Sequence, residues 1–174
     1  VSRWSKQYRA SETDNIEAMN NLIEWLPKNI PDDDETTIVH GDYRLDNMIL
    51  RNNEVIGILD WELSTLGHPI ADFSYHCLSW RTQEAFWDQA KLKELGIPSE
   101  REYMEMYCEN SGKDLSKNWE FYMAFNMFKI AGILQGILGR VRDGTAASKH
   151  AEERGNMVFP LSQAAWETIE DNFL

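Results

Sequence analysis

The stretch from Ile38 to Glu62, IVHGDYRLDNMILRNNEVIGILDWE, constrains the fold of this chain more than any other part of the sequence. Short runs of aliphatic and β-branched residues, typical of strands, alternate there with isolated acidic and amide side chains. Asn52-Asn53 lies between two such runs, and asparagine tolerates the positive φ of a tight turn. Residues 48–50 and 55–59 are therefore predicted to form a hairpin. Charges beside buried strands are costly unless they are paired or bind a metal.

The apolar residues outside this stretch recur at helical spacing. Helices are predicted from Ser11 to Leu26, from about Ile70 to Trp80, over 82–96, from Ser99 to Asn110, over 119–139 and from about Phe159 to Asn172. The predicted fold class is α+β and mainly helical, with a small β-hairpin element that carries the polar residues.

Composition restricts the class of protein. The chain has 174 residues, 43% of them hydrophobic and 26% charged, as expected for one globular domain with a core. The net charge of −12 argues against a nucleic-acid-binding surface. Residues 119–139 include four polar side chains that a membrane span rarely tolerates: Glu120, Asn126, Lys129 and Gln135.

The two cysteines bear on the cellular compartment. Cys77 and Cys108 lack the CxxC spacing of a zinc or redox site, and two separate thiols are favoured over a disulfide. This pattern favours a reducing, intracellular compartment, and a cytoplasmic location is expected. The sequence begins with Val1, so an organellar targeting segment upstream is left open.

Three side chains around the predicted hairpin have the chemistry of a magnesium site beside a carboxylate. Asp42 follows the first strand, Asn47 opens the next one, and Asp60 ends the strand after that. A loop that leaves one strand and enters a hairpin can bring all three to one side, where the oxygens of Asn47 and Asp60 suit Mg²⁺. Asp42 would then face a substrate hydroxyl, as phosphoryl transfer requires. The alternative is ordinary turn chemistry, because Asp and Asn favour turns.

The spacing matches a known arrangement. Protein kinases carry H-R-D-x-x-x-x-N and later D-F-G, and this chain carries HGDYRLDN over His40–Asn47 and LDWE over 59–62. With ILDWELSTLGHPIADFSY (58–75) and VSRWSKQY (1–8), the chain resembles the aminoglycoside phosphotransferase family of kinase-like enzymes. The resemblance is greatest to the branch related to the kinase domains of acyl-CoA dehydrogenase family members 10 and 11. It implies a kinase-like C-terminal lobe over 1–174, with the N-terminal ATP-binding lobe expected outside this sequence.

The resemblance implies roles for the acidic and amide residues. Asp42 would be the catalytic base or orienting carboxylate. Asn47 and Asp60 would hold the Mg²⁺ that bridges the phosphates of ATP, the phosphate donor. Glu62 would lie in or beside the metal- or substrate-binding site.

The resemblance also implies residues that support the catalytic loop. His40 would brace this loop through hydrogen bonds, and Asp72 would accept hydrogen bonds from its backbone. Arg44 would either pair with Asp46 or touch substrate. One departure is Gly67-His68-Pro69, where the related pattern is Gly-Asp-Pro. A neutral histidine caps a helix less well than an aspartate, so the cap at this helix start is expected to be weakened.

The implied activity is ATP- and Mg²⁺-dependent transfer of phosphate to a hydroxyl of a small molecule, such as an aminoglycoside or a hydroxyacyl compound. The expected partners are the alcohol acceptor, the missing lobe and an acyl-CoA dehydrogenase domain or protein, with no nucleic acid or membrane span. The isolated lobe is expected to be inactive. Two alternatives remain open: a metal-dependent hydrolase using His40, Asp42, Asp60 and His68, and a non-catalytic pseudokinase-type module.

Overall fold

A computed structural model of the chain describes residues 1–33, 35–82, 89–115, 117–146 and 150–170. The helices in these ranges are α1 (Ser2–Ser11), α2 (Glu17–Trp25), α3 (Pro69–Cys77), α4 (Gln89–Glu94), α5 (Glu100–Ser111), α6 (Trp119–Arg142), α7 (Ala151–Gly155) and α8 (Val158–Glu170). The strands are β1 (Thr37–Val39), β2 (Met48–Arg51), β3 (Glu54–Ile58) and β4 (Thr65–Gly67). The predicted α+β, mainly helical class is confirmed.

The N-terminal region differs from the prediction of one helix from Ser11 to Leu26. Ser11 ends α1, and its hydroxyl donates back to the carbonyl of Gln7 at 3.1 Å, while α2 begins only at Glu17. Short polar side chains form such backbone bonds readily, so the same residue type can close one helix or start the next. Part of the predicted helix over 82–96, residues 83–88, lies outside the described residues, as do 171 and 172.

One compact unit consists of residues 1–31 and 123–174, in which α2 packs against α8. The Gln135 side chain of α6 donates to the carbonyl of Ser11 at 2.6 Å and to the Thr13 hydroxyl at 2.8 Å, which fixes the α1–α2 connection against α6. The buried apolar side chains of this unit include Tyr8, Met19, Leu22, Met127, Phe128, Leu161 and Ala165.

Helix α6 is long and apolar enough to cross a membrane, judged by length and composition alone. Half of its most apolar segment is buried inside the protein. Core helices of globular proteins have the same properties, so this is weak evidence for a membrane span.

The second unit, residues 32–122, contains two separate two-stranded antiparallel sheets. Strands β2 and β3 form the predicted hairpin, and Asn52 and Asn53 at its turn have φ angles of 51° and 62°. Strand β1 pairs with β4, with Ile38 opposite Leu66. Strand β4 was not predicted, because three residues in an exposed edge pair carry little sequence pattern.

Helix α3 follows β4 directly, and a side-chain cap is present at its start although Gly67-His68-Pro69 departs from the related pattern. The His68 side chain accepts a hydrogen bond from the backbone N–H of Ile70 at 3.3 Å, and Pro69 occupies the first turn. An unprotonated ring nitrogen can therefore take the place of a carboxylate oxygen here. The middle of α3 is buried through Ile70, Phe73 and Cys77, which makes the helix a firm support for the loop beside it.

The turn after β1 depends on Gly41. Its φ is +84°, and a Cβ built on it would lie 2.5 Å from the carbonyl oxygen of Leu63. Glycine is the residue that combines a left-handed backbone with such a close approach. Gly41 thereby sets the path of the chain between His40 and Asp42.

Replacing Gly41 with alanine should lower the free energy of unfolding by about 3–4 kcal/mol, since a left-handed alanine must also displace a backbone carbonyl. Gly112→Ala is the matched control: Gly112 has a φ of +72° but nothing within 4 Å of the added Cβ. That change should cost about 1–2 kcal/mol, the left-handed penalty alone. Denaturant unfolding measures both, and equal losses would contradict the close contact.

Candidate functional site

The loop between β1 and β2, residues 40–47, is held by the first turn of α3. One carboxylate oxygen of Asp72 accepts the backbone N–H of Gly41 at 2.8 Å, and the other accepts the backbone N–H of His40. Bonds from backbone N–H groups to a carboxylate are among the stronger hydrogen bonds in proteins. Asp72 therefore makes the contact that the resemblance implies for it.

His40 connects this loop to the end of the hairpin. Its Nε2 lies 2.7 Å from the carbonyl oxygen of Leu59, and its Nδ1 accepts the backbone N–H of Asp42 at 3.2 Å. Both bonds form when the ring proton is on Nε2. The side chain is only 2% exposed, and the Trp61 ring lies 4.7 Å from it, centroid to centroid. His40 thus ties Asp42 to the residue that precedes Asp60.

Asp42 is fixed at each of its polar atoms. One carboxylate oxygen accepts the hydroxyl of Tyr75 at 2.7 Å, and the other accepts the Asn47 amide at 2.9 Å. The Asn47 amide also donates to the backbone carbonyl of Asp42 at 2.9 Å. Two donors on two oxygens favour the ionised form of the carboxylate and define its plane.

The same contacts orient Asn47. Both bonds from its Nδ2 go to Asp42, which leaves the amide oxygen Oδ1 as the atom available to a cation. The backbone carbonyl of Asn47 accepts the N–H of Leu59 at 2.8 Å. Since Leu59 also contacts His40, the backbone just before Asp60 is hydrogen-bonded to both ends of the loop.

Asp60 has an unusual backbone conformation. Its φ and ψ are 64° and 54°, the left-handed region, which aspartate tolerates better than most residues. This conformation turns the chain out of β3 into a short 3-10 turn, Trp61–Leu63, and leaves Asp60 exposed. Non-glycine residues in this region often mark functional sites. The side-chain oxygens of Asn47 and Asp60 are each hard donors of the kind that suits Mg²⁺.

Glu62 and Arg44 lie at the margin of this site. Glu62 is exposed in the 3-10 turn, and within the described part of the chain no hydrogen bond ties it to the loop. Arg44 pairs with Asp46 at 2.5 Å. Burial lowers the pKa of Arg44, but the charges of Asp46 and Asp42 outweigh it and raise the pKa overall. A permanent cation therefore lies near Asp42, and the ion-pair alternative for Arg44 is the one observed.

Sequence reasoning missed Tyr75. Burial, and then its hydrogen bond to Asp42, raises the pKa of the Tyr75 hydroxyl, so it remains a donor. The one sequence feature that could have indicated Tyr75 is its position three residues after Asp72. Residues at that spacing lie on one face of a helix, so Tyr75 faces the same loop as Asp72. The partners are 33 positions apart in the sequence, and no local pattern connects them.

The set His40, Asp42, Asp60 and His68 does not form a transition-metal site. Both ring nitrogens of His40 are used by Leu59 and Asp42. His68 uses Nδ1 at the start of α3, and its Nε2 lies 3.1 Å from Asp33. Across the described ranges there is no group of three or more His, Cys, Asp or Glu side chains arranged to hold a metal. The geometry therefore does not favour the hydrolase.

Comparison with known proteins places the chain in a family. Residues 1–107 match the model of the phosphotransferase enzyme family. Acyl-CoA dehydrogenase family member 10 of Mus musculus is 45% identical over 174 residues, which is 96% of this chain and 16% of that protein. Member 11 of Homo sapiens is 40% identical over 180 residues, which is 99% of this chain and 23% of that protein. The chain thus spans less than a quarter of these relatives.

A solved structure shows the same fold. A candidate aminoglycoside phosphotransferase from Ralstonia eutropha superposes with a TM-score of 0.88 and is 47% identical in sequence. The match covers 98% of this chain and 54% of that one. Together with the family model and the curated relatives, this similarity shows that the chain belongs to the phosphotransferase enzyme family and has its kinase-like fold.

Proposed function

We propose that this chain supplies the catalytic lobe of a small-molecule kinase, which transfers a phosphate from ATP to an alcohol in the presence of Mg²⁺. The observation that carries the proposal is the double role open to Asn47. Its amide nitrogen holds the carboxylate of Asp42, while its amide oxygen is left for a cation. One side chain would thereby connect the carboxylate of Asp42 to the residues that hold the metal, the two parts that phosphoryl transfer uses.

Asn47 and Asp60 would hold the metal. The amide oxygen of Asn47 and the carboxylate of Asp60 are ligands of the kind that Mg²⁺ accepts. When bound, the ion would neutralise negative charge on the phosphate groups, which the net negative charge of this chain otherwise repels. The left-handed backbone at Asp60 supports this role, because strained residues often belong to functional sites.

Asp42 would serve the acceptor. Its carboxylate would orient the attacking hydroxyl and accept its proton. The hydrogen bonds from Tyr75 and Asn47 favour the ionised form needed for that task. His40 and Asp72 support this role by fixing the loop backbone on either side of Gly41, and Arg44 adds a positive charge beside it.

We also propose that the missing nucleotide contacts come from a second lobe of a longer protein. Many large apolar side chains of the β element are exposed, as expected of a surface that another lobe covers. They include Ile38, Leu45, Leu50, Val55, Leu59 and Leu66. The two relatives are far longer than this chain, which supports a further domain as partner. Their names, acyl-CoA dehydrogenase family members 10 and 11, support an acyl-CoA dehydrogenase domain or protein as that partner and a hydroxyacyl compound as the acceptor.

The experiment is a phosphate-acceptor screen of the full-length protein with ATP and Mg²⁺. Aminoglycosides, choline and hydroxyacyl thioesters are offered in parallel, and labelled phosphate is followed into product. Transfer to a hydroxyacyl compound is the expected result. A protein that binds ATP but phosphorylates no alcohol would instead support the pseudokinase-type module.

Paired substitutions separate the two proposed roles in this assay. Asp42→Asn should lower kcat about 10²–10⁴-fold with little change in the KM for ATP, because it removes the base and leaves the metal ligands. Asp60→Ala should abolish turnover and weaken Mg²⁺-dependent ATP binding. Asp32→Asn, an exposed aspartate of the same unit, is the control and should match the wild type. Unchanged turnover in Asp60→Ala would refute the metal assignment.

A further inference from the structure

We infer that Tyr75 is a positioning residue for phosphoryl transfer, because its hydroxyl fixes the carboxylate of Asp42 in the orientation that receives the acceptor alcohol. The inference rests on the proposed function, in which Asp42 serves that alcohol. Its basis is the 2.7 Å hydrogen bond from the phenol oxygen of Tyr75 to Oδ1 of Asp42.

Tyr75 provides the second hydrogen bond that fixes the rotation of the Asp42 carboxylate. The terminal torsion of an aspartate is broad, so a carboxylate held at one oxygen can still rotate. Asn47 holds Oδ2 from within the loop, and Tyr75 holds Oδ1 from α3. With donors from two different elements on its two oxygens, the carboxylate plane of Asp42 is defined.

Helix α3, which carries Tyr75, also holds the start of the loop through Asp72. Asp72 and Tyr75 are three residues apart on α3 and lie on one face of it. Asp72 fixes the backbone at His40 and Gly41, and Tyr75 fixes the side chain that follows them. Buried residues of the same helix, Phe73 and Cys77, hold it against its own unit. A site carried on a packed helix is positioned more accurately than one carried on loops alone.

A neutral donor suits this task. Because burial and Asp42 both raise the pKa of the Tyr75 hydroxyl, it stays protonated and donates without neutralising the carboxylate. An O–H···O⁻ bond of this kind is short and directional. Arg44 adds a positive charge beside Asp42 and also contacts the Tyr75 hydroxyl.

The test is Tyr75→Phe in the full-length protein, assayed with ATP, Mg²⁺ and the acceptor found in the screen. This change keeps the ring and removes only the hydroxyl. The expected result is a fall in kcat of about 10- to 100-fold, as for a misplaced catalytic group, with both KM values within about twofold. Tyr8→Phe is the matched control, because the buried hydroxyl of Tyr8 has no hydrogen-bond partner within the described residues, and its kcat should equal that of the wild type.

A second measurement separates positioning from a purely structural role. In the Asp42→Asn background, Tyr75→Phe should cause no further loss of kcat, because residues that act as a unit are non-additive. A similar further loss in that background, or a wild-type kcat in the single variant, would overturn the inference. Thermal unfolding of Tyr75→Phe should match the wild type within a few degrees.

Failure of the inference is distinguishable from failure of the proposed function. A wild-type protein that transfers no phosphate from ATP would overturn the function, and the role of Tyr75 with it. An active wild type whose rate survives Tyr75→Phe would overturn the positioning role alone.

Discussion

The candidate site depends on two hydrogen bonds that the carboxylate of Asp72 accepts. This carboxylate accepts the backbone N–H groups of His40 and Gly41, and so fixes a loop that has no regular secondary structure until residue 45. The loop also depends on Gly41, whose left-handed backbone passes close to the carbonyl oxygen of Leu63. From this anchored turn, His40 reaches the hairpin end and Asp42 projects towards Tyr75 and Asn47.

A chain with a net charge of −12 repels anionic substrates such as a phosphate donor. Asp42 is held by the neutral donors Tyr75 and Asn47, which order the carboxylate and leave its negative charge in place. Asp60 lies in an exposed position after β3. Under the proposed function, these carboxylates would attract a divalent cation, and the cation would in turn admit an anionic phosphate donor.

The sequence predicted those features of the fold and site that depend on residues close together in the chain. The Asn52-Asn53 turn predicted the hairpin, and the spacing from Asp42 to Asn47 predicted two residues that the structure joins by hydrogen bonds. Tyr75 was missed because its partner lies 33 positions away, and tertiary contacts at that range leave no periodic trace. Strand β4 was missed because its pairing with β1 depends on partners distant in the sequence.

Two other differences have local physical causes. The cap at α3 was judged from residue preference, yet His68 has a ring nitrogen that accepts the N–H of Ile70. The start of the first predicted helix was judged from Ser11, whose hydroxyl instead bonds back into α1. A serine hydroxyl can bond to the backbone of the helix before it or of the helix after it, and at Ser11 the bond goes back into α1.

The proposed function depends on a cation site formed by Asn47 and Asp60 beside Asp42. Titrating the isotope-labelled chain with Mn²⁺, a paramagnetic substitute for Mg²⁺ at oxygen ligands, tests it most directly by NMR. The backbone resonances of Asn47 and Asp60 should broaden at the lowest Mn²⁺ concentrations, and Asp60→Ala should remove the effect. Broadening centred instead on the acidic side chains of α5, Glu102, Glu105 and Glu109, with Asn47 and Asp60 unaffected, would contradict it.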